Sequence, residues 1–122
     1  MANSVTDKLI LSASTDGKGI KIAATATAGT LVHTWPTNTA TYHEVYLYAY
    51  NSSTTVNQDV TVEFGDATAP DSNIRTNVTI GSWLNLIVPW LLLKGNATPL
   101  TVKVFSTTTN VTIITWYYHL IA

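Results

Sequence analysis

The chain contains no cysteine. That excludes a disulfide framework, a thiolate metal site and any cysteine nucleophile, and it leaves the redox compartment open. Charge is scarce as well: Lys and Arg number 6 and Asp and Glu 7, so charged side chains make up 11% of the 122 residues, against about 25% in an ordinary soluble domain. From Ile80 to Ala122 the only Lys, Arg, Asp or Glu residues are Lys94 and Lys103. The net charge is −1, and Lys8, Lys18, Lys21, Arg75, Lys94 and Lys103 are dispersed, which leaves no basic face for a nucleic acid. Long apolar runs are missing too. The longest, Leu86 to Leu93, is interrupted by Pro89 and is far short of the roughly 20 residues of a spanning helix. Met1 to Lys8 lacks the basic start and apolar stretch of an export signal, so synthesis and folding in a cytoplasm are expected.

What replaces charge is neutral and β-forming. Apolar residues hold an ordinary share at 46%, and threonine is the commonest residue; with Val, Ile, Tyr and Trp it suits a pleated, half-buried surface. The length is right for one domain burying about two-thirds of its unfolded surface. Short alternating or apolar runs are separated by turn residues, and no segment has a helical period. Leu9 to Leu11, the turn cluster Ser12 to Gly19 and Ile20 to Ala23 read as a first hairpin. Leu31 to Trp35 ends at Pro36. His43 to Tyr50 alternates Val45, Leu47 and Ala49 on one face with Tyr46, Tyr48 and Tyr50 on the other, as in a strand covered on both sides. Asp59 to Phe64 turns Val60, Val62 and Phe64 inward. Further strands are expected at Arg75 to Ile80, Leu84 to Val88, Trp90 to Leu93, Leu100 to Phe105 and Val111 to Leu120. About eight strands make an all-β, single-domain jelly roll or similar two-sheet antiparallel sandwich over residues 8–122, preceded by an arm over residues 1–7.

The candidate chemistry is thin. None of the three histidines stands at a metal-ligand spacing, and His43 and Glu44, adjacent in a strand, point to opposite faces; surface or interface histidines are expected. The loop Gly65 to Asn73 could offer Asp66, Asp71 and Asn73 to a hard cation, but its spacing matches no EF-hand, and Asx-turns around Pro70 explain it better. Asp16 to Gly19 is too short for a phosphate loop, and Gly81-Ser-Trp lacks the second glycine of a nucleophile elbow. No enzyme and no cofactor are implied.

The aromatic residues carry more information. Tyr46, Tyr48, Tyr50, Trp83, Trp90, Trp116 and Tyr117 are candidates for an interface or a sugar-stacking platform, whereas Trp35 lies in a core-like strand. Trp83 and Trp90 stand at strand ends beside Gly81 and Pro89. With so few charges, the simplest cover for an aromatic face is another copy of the chain in a closed homo-oligomer such as a trimer.

The segments His43 to Asn51, Val60 to Gly65, Ile87 to Asn96, Leu100 to Ser106 and Val111 to Ile121 together resemble the small β-rich virion proteins of tailed bacteriophages and cyanophages, encoded among head genes. The likeness covers most of the chain from Lys8 onward and rests on patterns of strands and turns. Where that group's last strand reads Gly-Tyr-Val-Asn-Arg-Ile, this chain has Trp116-Tyr-Tyr-His-Leu-Ile121. Tyr117 and Ile121 are the matching positions, and a contact through the arginine does not carry over.

The resemblance implies a capsid cement or decoration protein, bound as a homotrimer to the outer surface of a phage head and stabilising the shell of the major capsid protein, with no nucleic-acid or membrane partner. Met1 to Asp7, including Asn3, Val5 and Asp7, is then expected to be an arm that orders against the capsid. The alternative is a receptor- or carbohydrate-binding module of a tail tip or head fibre, which needs at least two aromatic rings lying coplanar on an exposed surface. A tail or neck structural protein is a third reading.

Overall fold

The structure is a computed structural model that describes the backbone of residues 5–66 and 71–122 and the side chains of residues 8–66 and 71–122. Among these there are nine strands and no helix: β1 (Val5–Ile10), β2 (Ile20–Lys21), β3 (Thr30–Thr34), β4 (Tyr42–Asn51), β5 (Gln58–Phe64), β6 (Asn73–Val78), β7 (Asn85–Lys94), β8 (Thr101–Ser106) and β9 (Thr112–Ile121). One sheet runs β1-β9-β4-β7 with β2 also on β9, the other β3-β8-β5-β6, and every pairing is antiparallel.

The expected first hairpin does not form. Both β1 and β2 pair with β9, at Tyr117–Ile121 and Ile113–Ile114 respectively. They are two lengths of one edge strand, interrupted by the loop that Asp16, at φ 56, and Gly17, at φ 83, turn in the left-handed region. Counted so, the pairs nest as β5 with β6, β4 with β7, β3 with β8, and β1/β2 with β9. A ribbon paired this way and rolled into two sheets is a jelly roll.

Between the sheets lies a core of branched side chains. Val45, Leu47 and Ala49 of β4 and Ile114 of β9 meet Val60 and Val62 of β5 and Val102 and Val104 of β8, all fully buried. The alternation in β4 and the inward set of β5, with Phe64 packed at the margin, are as expected from sequence. Two details differ. The segments around Pro89 form one strand, because β7 absorbs the irregularity as bulges: Val45 and Leu47 stand opposite Leu91 and Val88, and Leu47 and Tyr48 opposite Val88 and Leu86. Trp90 sits in the first bulge at φ 53, a conformation a bulky residue adopts only when its surroundings impose it. The second difference concerns the arm: Val5 and Thr6 pair with Ile121 and Leu120, so β1 begins inside the stretch assigned to the arm, of which residues 1–4, Asn3 among them, and the side chains of residues 5–7 lie outside the described residues.

Glu63 is buried although its strand position faces outward on the second sheet. The segment after β2 folds across that face, and Glu63 pins it: Thr27 Oγ1 donates to Oε2 at 2.8 Å and the Gly29 N–H to Oε1 at 2.7 Å. Gly29 is required here, since a Cβ would stand 2.6 Å from the Val104 backbone. Replacing Glu63 by alanine strands two donors in a site only 2% exposed. The expected cost is about 2–3 kcal/mol, seen as a melting temperature lowered by roughly 10 °C; an unchanged melting curve would show that the segment is held by other contacts.

Candidate interaction surface

The outer face of the β1-β9-β4-β7 sheet is built by register. Tyr42, Glu44, Tyr46, Tyr48 and Tyr50 of β4 stand opposite Ile121, His119, Tyr117, Thr115 and Ile113 of β9, while on the other side Tyr42, Glu44 and Tyr48 face Lys94, Leu92 and Leu86 of β7. The alternation that buries Val45, Leu47 and Ala49 therefore sends a tyrosine ladder outward.

The rings on this face pack on one another. Tyr46 stacks on Tyr117 with centroids 5.1 Å apart and Tyr117 on His119 at 5.4 Å, while Tyr48 meets Trp116 at 5.6 Å. The Tyr46 hydroxyl donates to Glu44 Oε1 at 2.9 Å, and His119 Nδ1 lies 3.7 Å from the same oxygen. Burial and this carboxylate raise the Tyr46 hydroxyl above its ordinary pKa. At the sheet edge the Lys8 ammonium sits 5.6 Å over the Tyr117 ring, beside a cleft where β1 and β2 part company, lined by Leu9, Ile10, Gly17 and Trp116.

Around this cluster the surface stays apolar. Tyr42, Tyr50, Leu86, Leu92 and Trp116 are exposed, and Trp90 is 69% exposed at the bulge. Tyr50 continues onto the end of the sandwich, where it lines a cleft with Ile80 and Gly81; Leu84 and Trp83 follow in the β6–β7 loop, Trp83 at 89% exposure. The charged side chains on this face are Glu44 of β4 and Lys94 of β7, with Lys8 of β1 over the Tyr117 ring and Lys21 of β2 opposite Ile113 along the other edge.

The other sheet presents the opposite character. Its outward positions place Lys103, Glu63 and Asn73 in one row, Phe105, Thr61 and Arg75 in the next, and Asp59 opposite Asn77. Its outward rows are mostly polar, and the segment pinned by Glu63 covers part of them.

Of the residues expected at an interface, Tyr46, Tyr48, Tyr50, Trp116 and Tyr117 come together, Trp90 joins at the β7 edge, and Trp83 stands apart on the adjoining end. Val5 and Asp7 belong to β1, and their side chains lie outside the described residues. Sequence reading missed Leu86 and Leu92, because the bulged run Leu86 to Leu93 does not alternate and its outward members cannot be told apart without the register. It also misplaced two histidines: His33 and His43, expected at the surface or an interface, are 1% and 6% exposed. The loop carrying Asp66 and Asp71 runs through residues 67–70, outside the described residues, and among the described residues no cluster of three or more His, Cys, Asp or Glu could hold a metal ion.

No family model matches the chain, and neither a curated protein nor a solved structure matches it.

Proposed function

We propose that this protein is a structural subunit that coats a larger assembly: a capsid cement or decoration protein of the tailed-phage kind, acting as a closed homo-oligomer, with a trimer expected. The observation that carries the reading is the asymmetry of the two sheets. One outer face is mostly polar and partly covered, and the other carries an aromatic and aliphatic cluster whose charged groups, apart from Glu44, stand along its edges: Lys8, Lys21 and Lys94. Contiguous apolar surface of this kind marks an interaction site, and exposed Trp and Tyr are the residues that anchor interfaces. Jelly rolls serve in capsids and in lectins alike, so the face, and not the fold, favours this choice.

Cementing then works by mass action. A subunit that binds only the assembled shell stabilises it in proportion to its occupancy, and linked copies bind with avidity. The glycan-binding alternative fits less well. Rings whose centroids are 5.1 and 5.4 Å apart at interplanar angles of 25° and 24° spend their faces on one another instead of offering them side by side to a sugar.

The test is sedimentation of the protein with undecorated capsids at high salt. Saturable binding that raises the shells' melting temperature and persists in salt is expected, because apolar contacts are not screened. Failure to bind, with the oligomer intact, would overturn the cement reading. Removing residues 1–4, which spares β1, is the truncation that tests the arm.

A further inference from the structure

We propose that His33 and His43 form an acid-sensitive latch that holds the two sheets together where Leu11–Ala13 crosses from β1 to β3. Three hydrogen bonds make this seam: Ala13 N–H to Val32 O at 3.2 Å, Thr34 N–H to Ser12 Oγ at 2.8 Å, and Ser12 N–H to His33 Nδ1 at 3.0 Å. The third continues inward, since His33 Nε2 lies 2.8 Å from His43 Nδ1.

The protons are fixed by this chain. Because Ser12 donates to His33 Nδ1, that nitrogen is bare and the His33 proton sits on Nε2, where it donates to His43 Nδ1; the His43 proton is then on Nε2. Two neutral rings satisfy both bonds. A third proton cannot be added without loss. On His33 Nδ1 it meets the Ser12 N–H. On His43 Nδ1 it meets the His33 Nε2–H, and if that ring switches tautomer to receive it, the displaced proton lands on Nδ1 and again faces Ser12. Every singly protonated arrangement breaks one of the two bonds.

Nothing around the pair compensates a positive charge. Tyr118 of β9 stacks on His43 at 4.3 Å and lies 4.4 Å from His33, and Trp35 packs edge-on to His33 at 5.0 Å. The neighbours along β4 and β9, Glu44 and His119, pair with each other on the opposite face. Lys8 of β1 lies over Tyr117, Lys94 of β7 stands opposite Tyr42, and Lys103 of β8 stands opposite Leu31; Asp16 and Lys18 of the interrupting loop are exposed. Among the described side chains no carboxylate faces either ring. Burial, with His43 adding to it, accordingly lowers His33 from 6.5 to about 3, and burial lowers His43 in the same direction.

The sign follows. A histidine depressed in the fold stabilises the closed seam above its ordinary pKa, and that contribution fades as pH falls from about 6.5 toward 3. Opening the seam frees Leu11–Ala13 from β3 and loosens β1, baring the edge of β9 to another strand.

The test is hydrogen exchange of the segment spanning Leu9 to Gly19 in the intact protein, corrected for intrinsic rates, at pH 7.5 and pH 5. Opening should increase about 30-fold for each histidine that titrates on release. The comparison variant is His33→Gln, whose amide offers the same acceptor toward Ser12 and donor toward His43 with no proton to gain; its acid increase should be about 30-fold smaller than that of the natural chain. An equal increase in both would overturn the latch. Should the variant fail to fold, the ring-proton titration of the natural chain decides: His33 silent from pH 7.5 to 5 while folded supports the latch, and a titration near 6.5 with the seam still protected refutes it.

Discussion

Replacing Trp35 by alanine is expected to remove about 3–5 kcal/mol of stability, a large part of the 5–15 kcal/mol that holds a typical domain folded. The ring is 1% exposed, packs against His33, and donates from Nε1 to the His43 carbonyl at 3.0 Å. Removing it leaves a cavity between the sheets and an acceptor without its partner. The same change at Trp83, 89% exposed in the β6–β7 loop, should stay within about 0.5 kcal/mol. Urea unfolding of the two variants measures the contrast. Equal losses would mean that the burial of one ring or the exposure of the other is misassigned.

The second large effect concerns assembly. Leu86→Glu with Leu92→Glu places two carboxylates on the aromatic face, at positions opposite Tyr48 and Glu44 where the side chains are about half exposed. The isolated fold should tolerate them at a cost of about 1 kcal/mol, since the carboxylate introduced opposite Glu44 repels it across the strand pair where solvent screens both. In an oligomer that buries this face, each is a charge with no partner, and a penalty near 3 kcal/mol per contact weakens association by more than 100-fold. The expected result is a folded single chain with the melting temperature lowered by about 5 °C or less. Arg75→Glu on the polar sheet is the control and should leave the assembly intact. If the aromatic-face variant associates as the natural chain does, copies meet elsewhere.

How much of this was legible in the sequence depended on whether neighbours in the chain were neighbours in space. Val45 to Tyr50 declared both of its faces, because alternation is a local property of a strand, and Trp35 lay in a segment that read as core. The all-β class followed from composition and turn spacing. Pairing was not local. The turn cluster between Leu11 and Ile20 resembled a hairpin, and only the register on β9 shows that it interrupts an edge. The outward members of the run Leu86 to Leu93 were hidden by two bulges. Nothing local marks Glu63 as buried, because its burial depends on a segment more than 30 residues away in the chain. The histidine pair joins strands of different sheets, ten residues apart, and no spacing rule would have connected it.

The aromatic face should be covered by copies of the chain, and the solution mass of the purified protein decides whether it is. Sedimentation equilibrium at micromolar concentration should give a closed small oligomer, near three times the 13.2 kDa of one chain for a trimer, unchanged by high salt because the contacts are apolar. A monodisperse species at the mass of one chain would mean that the aromatic face stands open to water and that no copy of the chain covers it.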